Sequence, residues 1–276
     1  MHSRVYVEIT NICNMSCSFC HGHSRPPRRM SAAEFARVLE QLDPSISYLY
    51  YHLMGEPLTH PDLPLFLRMA AERGLRSVLT TNGTLLARRG EELLDSPLHK
   101  ISISLHSFEE GSETSLAAYL SEVSEFAQRA AQRGIIVVLR LWNRGADEDR
   151  NDEILAYLHR RFDGAWGENT RGFRLREKLF LEWGDRFVWP DRDAPDTGDA
   201  VACYGMRDHF GILCDGSVVP CCLDSEGAVT LGNIFRDHLS DILASPRALA
   251  IKQGFERHYA TEDLCRRCGY ATRFRV

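Results

Sequence analysis

A chain of 276 residues with 44% hydrophobic and 26% charged residues and a net charge of -5 has the length for one large domain, or a large and a small one, each with its own core. No apolar run approaches the roughly 18 residues that cross a bilayer, and the polar start Met1-His2-Ser3-Arg4 lacks a signal-peptide core, so a cytoplasmic protein without membrane contact is expected. The mild acidity argues against broad non-specific binding to nucleic acid, although the basic stretch Arg25-Pro-Pro-Arg28-Arg29 keeps a docking surface in view.

Short apolar runs alternate with stretches of helical period, the pattern of strand-helix units around a parallel sheet. Residues 5–9 read as the first strand. Ser31-Ala-Ala-Glu34 is a capping box, and Phe35, Val38, Leu39 and Leu42 continue it at helical spacing. A second strand is expected over 46–54 and a helix over 61–73, stopped by Gly74. The phrase repeats as strand 76–81, helix 85–94, strand 100–105, helix 115–133, strand 135–141, helix 152–161 and strand 173–181. Six such units are too few for a closed eight-fold barrel of ~250 residues, so a partial barrel or a doubly wound sheet fits. Both place ligands at the C-terminal ends of strands. Residues 183–199, rich in Asp, Pro and Gly, read as a linker. Beyond it, strands at 210–214 and 217–219 flank the hairpin signal Asp215-Gly216, and 239–253 reads as a helix. The expected organisation is a core domain over 1–184, a linker over 185–199 and a small domain over 200–276.

The nine cysteines are the anomaly. A reducing cytosol does not keep thiols paired, and a chain of this length needs no staples, so clustered cysteines point to metal or thiol chemistry. Cys13, Cys17 and Cys20 sit within eight residues, and the other six fall between Cys203 and Cys268. Two sites are implied. Three thiolates on a short loop can hold three corners of a cubane iron-sulfur cluster and leave the fourth iron open. Structural zinc is the alternative, with His21 or His23 completing a tetrahedron.

Cys13-Asn-Met-Ser-Cys17-Ser-Phe-Cys20 resembles the cysteine motif of radical S-adenosylmethionine (radical SAM) enzymes, with Phe19 in its aromatic slot. Met54-Gly55-Glu56-Pro57 resembles the family's GGEP segment, with Met in place of the first glycine. Thr80-Thr81-Asn82-Gly83 and Ser104-Leu105-His106 resemble its TTNG and SLD segments, with His106 where aspartate is usual. All four stand in order at predicted strand ends. The resemblance implies an α/β fold, a partial (β/α)6 barrel, with a [4Fe-4S] cluster on Cys13, Cys17 and Cys20 and S-adenosylmethionine on the open iron. It further implies Gly55 and Glu56 at the methionine ammonium, Phe19 by the adenine, and Ser104 at the ribose or methionine. Arg140 would pair with the carboxylate through its planar fork. An electron donor such as flavodoxin or ferredoxin is the implied partner.

Cys203-x12-Gly216-x4-Cys221, followed by Cys265-Arg-Arg-Cys268, resembles the SPASM/twitch extension of the same enzymes. With one closing CxxC pair, the shorter twitch form is expected: a small α+β domain with one auxiliary [4Fe-4S] cluster on Cys203, Cys221, Cys265 and Cys268. The same spacing would suit a zinc ribbon. Cys214 is expected as a small buried hydrophobe, and Cys222 as a possible substitute for Cys221.

Glu8, Tyr51, His52, Thr80, His106 and Asn143 are polar groups at predicted strand ends, without assigned catalytic roles. The resemblance in size and pattern to aminocyclitol dehydrogenases points to an oxidative radical enzyme acting on a small molecule. A maturase acting on a peptide or an RNA is the alternative. Against the peptide, a first strand near residue 5 leaves no room for an N-terminal leader-recognition domain. For RNA, residues 25–29 and Arg266-Arg267 supply positive charge. A non-catalytic metal module is disfavoured because it needs neither the Gly55-Glu56 nor the Ser104 motif.

Overall fold

A computed structural model describes residues 2–108, 114–145 and 150–274. In chain order its elements are β1 (Arg4–Val7), α1 (Ala32–Gln41), β2 (Tyr48–Tyr51), α2 (Leu63–Glu72), β3 (Arg76–Thr81), α3 (Leu86–Leu94), β4 (Leu98–Ser104), α4 (Leu116–Gln132), β5 (Ile136–Arg144) and α5 (Asn151–Arg161). Then follow β6 (Gly167–Asn169), β7 (Gly172–Arg176), β8 (Leu179–Asp185), β9 (His209–Ile212), β10 (Ser217–Val219), β11 (Gly232–Asn233), α6 (Leu239–Leu243), α7 (Pro246–Glu256) and α8 (Asp263–Arg266). No helix among the described residues is long and apolar enough to cross a membrane.

The chain divides into two compact units: residues 1–55, 69–76 and 187–276, and residues 56–68 with 77–186. In the first, the strand order is β11-β10-β9-β1-β2. β1 runs parallel to both β2 and β9, and β10 turns back antiparallel on β9. Val5, Val7, Leu49, Phe210 and Ile212 are fully buried along these strands, each worth about 1.5–3 kcal/mol of apolar burial. The capping box at α1 forms as expected: Ser31 Oγ accepts from Glu34 N, and Ser31 N donates to Glu34. At the Asp215-Gly216 turn, Gly216 has φ +87, and a Cβ there would lie 2.4 Å from the Phe235 ring.

In the second unit the order is β3-β4-β5-β8-β7-β6, with β3, β4, β5 and β8 mutually parallel. Val137 and Leu139 on β5 and Ile101 and Ile103 on β4 are buried, as are Tyr119, Leu120, Val123 and Phe126 of α4. The expected single strand over 173–181 is instead a hairpin. β7 and β8 pair antiparallel, reversing at Glu177-Lys178, where Lys178 takes φ +59. The expected helix over 239–253 is likewise two helices, because Ser245 caps a new start with Pro246 in its first turn.

Candidate functional site

The first cysteine loop is closed at its base by a zipper of hydrogen bonds. Thr10 Oγ1 donates to the Arg28 carbonyl at 3.1 Å, and Asn11 Nδ2 donates to Pro26 O at 2.9 Å. Arg28 N donates to Asn11 Oδ1 at 2.7 Å, and Met30 N to Ile9 O at 2.8 Å. Between these anchors the loop presents Cys13 and Cys20 exposed and Cys17 half-buried. Within the loop, Cys20 N donates to Cys17 O, and Met15 N to Cys13 Sγ. Trp189, in the segment read as a linker, donates its indole N–H to Phe19 O at 3.0 Å, and its ring stacks with His21. His21 Nε2 lies 3.3 Å from Asp191, and His23 Nε2 lies 2.9 Å from Asn11 O. No sequence signal marked Trp189 or Asp191; each is some 170 residues from its partner.

Gly55 presses on the root of this loop. Its φ is +74, and a Cβ would stand 2.4 Å from Thr10 O and 2.8 Å from the Asn11 carbonyl carbon. Only glycine permits that approach.

In the second unit, the GEP- and TTNG-like segments are one network. Glu56 is 2% exposed. Its Oε1 accepts from Leu58 N at 3.0 Å and from Thr81 Oγ1 at 2.8 Å, and its Oε2 accepts from Asn82 N at 2.8 Å. Burial raises its pKa to about 7, against the opposing pull of these donors. Thr81 Oγ1 in turn accepts from Gly83 N, and Tyr119 Oη donates to Asn82 O. Both carboxylate oxygens thus accept hydrogen bonds from the protein.

Across the neighbouring strands, Ser104 on β4 pairs in register with Arg140 on β5, and Arg140 with Glu182 on β8. The expected residues Ser104 and Arg140 are therefore side by side. Glu182 was not singled out in the sequence, although a charge in the apolar run of residues 179–183 is a visible signal. The Arg140 guanidinium lies over the Trp142 ring at 4.5 Å. His106 Nδ1 sits 3.1 Å from Arg140 O and 3.3 Å from Trp142 N, and burial pushes its pKa down to about 4.

Two of the polar groups expected near strand ends are claimed elsewhere. Tyr51 is fully buried and stacks on Phe35, and Glu8 is sealed in an ion pair with Arg25. His52 meets Tyr6 edge-on at 5.1 Å, while Thr80 lies on β3 and Asn143 on β5. Four of the five arginines read as a nucleic-acid surface are also engaged, Arg29 being exposed. Besides Arg25, Arg28 pairs with Glu34, Arg266 with Asp196 and Arg267 with Asp263.

The second thiol set gathers from three segments. Cys203 Sγ accepts from Gly205 N at 3.3 Å. Cys221 follows β10, Cys265 lies on α8, and Cys268 follows it. Burial raises the pKa of each, that of Cys203 to about 11. Neighbouring thiols then add to the effect: Cys222, Cys203, Cys265 and Cys268 on Cys221, Cys203 and Cys268 on Cys265, and Cys268 on Cys203. Half-buried thiols that oppose each other's ionisation fit a cationic metal centre, which relieves that cost. Among the described residues no three groups of His, Cys, Asp or Glu are close enough to hold a single ion, so neither set is a pre-closed one-ion site. Cys222 packs with Tyr6 against Leu53, Leu213 and Val219. Cys214 is buried as expected, but its thiol faces the Arg25 guanidinium at 3.9 Å.

Residues 7–168 match the family described as the radical SAM superfamily. The chain belongs to it. Residues 203–269 match the iron-sulfur cluster-binding SPASM domain. Among radical SAM relatives, GTP 3',8-cyclase of Chlorobaculum tepidum is 30% identical over 56% of this chain and 48% of its own length; the match spans about half of such cyclases. PqqA peptide cyclase of Xanthomonas euvesicatoria is 26% identical over 86% of this chain and 71% of its own. The S-adenosyl-L-methionine-dependent 2-deoxy-scyllo-inosamine dehydrogenase of Niallia circulans is 23% identical over 97% and 93%. The structure of BtrN with AdoMet and 2-DOIA aligns at TM-score 0.57 and 20% identity, covering 97% of this chain and 93% of that one. Streptococcus suis SuiB bound to S-adenosylmethionine aligns at 0.64 and 15%, covering 96% and 77%. The fold is thus the α/β partial barrel of radical SAM enzymes, and the superfamily and its SPASM extension bring S-adenosylmethionine and iron-sulfur clusters as cofactors.

Proposed function

We propose that this radical SAM enzyme oxidises a small hydroxylated substrate by removing hydrogen, in the manner of a dehydrogenase. The observation that carries the reading is the half-buried set Cys203, Cys221, Cys265 and Cys268, in which Cys203 Sγ and Cys221 Cβ both lie against Gly205, 3.5 and 3.4 Å from where a Cβ on that glycine would stand. Four protein ligands leave a four-iron cluster with no open iron, which suits one auxiliary [4Fe-4S] cluster to take an electron rather than hold substrate. Likeness to the inosamine dehydrogenase along 97% of the chain supports the same reading.

In this proposal Cys13, Cys17 and Cys20 hold the S-adenosylmethionine-binding cluster. When bound, that pair supplies reductive cleavage of S-adenosylmethionine and hydrogen abstraction by the 5′-deoxyadenosyl radical. The chain's residues bind and orient. The Gly55 backbone receives the methionine ammonium, while Glu56 fixes the turn that follows it. Phe19 flanks the adenine, Ser104 reaches the ribose or methionine, and Arg140 pairs with the carboxylate. A flavodoxin or ferredoxin supplies the electron.

Anaerobically reconstituted protein with dithionite and S-adenosylmethionine is expected to release 5′-deoxyadenosine, and an aminocyclitol to raise that release and appear as a ketone. No 5′-deoxyadenosine from protein carrying both clusters would reject radical chemistry. Cys221→Ser is expected to lower iron by about four per chain, one cubane's content, while Cys222→Ser leaves it unchanged; the reverse result would exchange the two.

A peptide maturase is the second reading, favoured by the PqqA peptide cyclase match over 86% of the chain. Turnover of a peptide and not of an aminocyclitol would select it. The RNA version is weaker, because Arg25, Arg28, Arg266 and Arg267 are already paired with acidic residues.

A further inference from the structure

Removal of hydrogen from a carbon that bears a hydroxyl leaves the hydroxyl proton to be taken up by a basic group. Such a group must itself be able to lose a proton, which an arginine side chain does not do. Of the 33 lysines and arginines of the chain only three are lysines, Lys100, Lys178 and Lys252. Lys178 Nζ donates to Gly134 O at 3.0 Å beside the β7–β8 turn, and Lys252 lies on α7. Lys100 stands within the parallel sheet, on β4.

The two faces of β4 differ. Ile101 and Ile103 are fully buried, and a Cβ on Gly83 would meet Ile103, Tyr119 and Val123 together, so this face packs on α4. Alternation puts Lys100, Ser102 and Ser104 on the other face, turned away from that helix. Ser104, Arg140 and Glu182 form one row across β4, β5 and β8, and Gly172 of β7 continues it, with Arg171 next in the chain. Lys100 is half-buried and precedes Ser104 by four residues, ~13 Å along the strand. Its four-carbon stem can carry the amine part of that way. Burial lowers the pKa of the amine; Glu182 acts against that, while Arg140 and Arg171 add to it. Desolvation thus favours the neutral amine, which accepts a proton, and the Glu182 carboxylate favours the ammonium that results.

We propose that Lys100 accepts the hydroxyl proton of the substrate, with Glu182 as the positioning residue that holds the ammonium so formed. The inference rests on the dehydrogenase reading and names the proton acceptor which that reading requires. The substrate loses one hydrogen atom from carbon to the 5′-deoxyadenosyl radical, its hydroxyl proton to the Lys100 amine and one electron to the auxiliary cluster. The carbon–oxygen double bond forms, and the ammonium afterwards returns its proton to water.

Two measurements on the anaerobically reconstituted full chain test it. The first needs no turnover: the lysine amines are labelled competitively with acetic anhydride across a range of pH and read by mass spectrometry. The Lys100 midpoint is expected below the ~10.4 of an ordinary lysine, and lower again in Glu182→Gln, which removes the opposing charge. A Lys100 midpoint at or above the ordinary value overturns the proposal. The second is ketone formation from the aminocyclitol that the wild-type protein turns over. Lys100→Arg keeps a positive charge on this face but does not give up its proton, and is expected to lower the rate about 100-fold, the low end of what a placed proton acceptor contributes. Lys100→Ala is expected to lose as much and to regain part of it with added ethylamine, a rescue that a merely structural loss would not show. Near-wild-type ketone formation in Lys100→Arg, or no gain from ethylamine in folded Lys100→Ala, overturns the role of Lys100 and leaves the dehydrogenase reading standing. Wild-type protein that releases 5′-deoxyadenosine with every aminocyclitol offered and yields no ketone overturns that reading, and the proposal with it.

Discussion

Replacing Glu56 with leucine is expected to destabilise the protein by about 3–9 kcal/mol at pH 5, and by less at pH 7 and above. The leucine leaves Leu58 N–H, Asn82 N–H and the Thr81 hydroxyl without their acceptor, and each buried polar group so abandoned costs about 1–3 kcal/mol. The pH dependence follows from the carboxyl's value of about 7, raised by burial from 4.5. Between those values the folded protein binds the proton more tightly than the unfolded chain, so the wild-type contribution is fully present below about 4.5 and is lost as pH rises through 7. About 3 kcal/mol is at stake, at 1.36 kcal/mol per pH unit. His106 and His209 act with the opposite sign: burial holds both near 4, so they add stability as pH rises from about 4 to 6.5. The Glu56 contribution is therefore read from the difference between wild type and variant in urea melts at pH 5, 6, 7 and 8. A gap that widens with pH would mean that the three donors favour the carboxylate more than burial opposes it.

What was legible in the sequence was what is local. The capping box needs only Ser31 and Glu34, and both bonds form as the spacing predicts. The Asp215-Gly216 hairpin likewise needs no distant partner. The β7–β8 turn was missed because Lys178 adopts φ +59 without the Gly or Asn that normally marks such a position. The helix break at Ser245 was missed although Pro246 announces it, since apolar residues continue on either side. At the site, motif residues could be placed at strand ends, but their partners could not be named. Arg25 stood in a basic run suited to solvent, and only a buried carboxylate 17 positions away makes it a strut. The Glu56 network joins residues 25 apart through hydrogen bonds that periodicity does not encode. Sequence pattern reports faces and turns; it carries no signal for which polar groups satisfy one another across a loop.

Gly55→Ala is expected to reduce reductive cleavage of S-adenosylmethionine about 100-fold while the protein still folds. Gly22 provides the comparison. It lies two residues after Cys20 with φ +69, close to the +74 of Gly55, and a Cβ there would meet nothing within 4 Å. Alanine at either position costs about 1–2 kcal/mol of left-handed backbone strain. Only at Gly55 does the added carbon fall 2.4 Å from Thr10 O and 2.9 Å from Asn11 Cα, and backbone atoms cannot swing aside as the end of a side chain can. Thr10 and Asn11 are the residues on which the returning chain is zipped, so their displacement carries the cysteine loop with it. A shift near 1 Å between reacting groups costs on the order of 100-fold. Gly22→Ala is expected to retain cleavage within a few fold, with a similar loss of stability from strain. Rates of 5′-deoxyadenosine formation, normalised to iron content, separate the two. Equal losses in both variants would show that backbone strain alone is at work, and that the approach of Gly55 to the root of the loop does not set the position of the thiols.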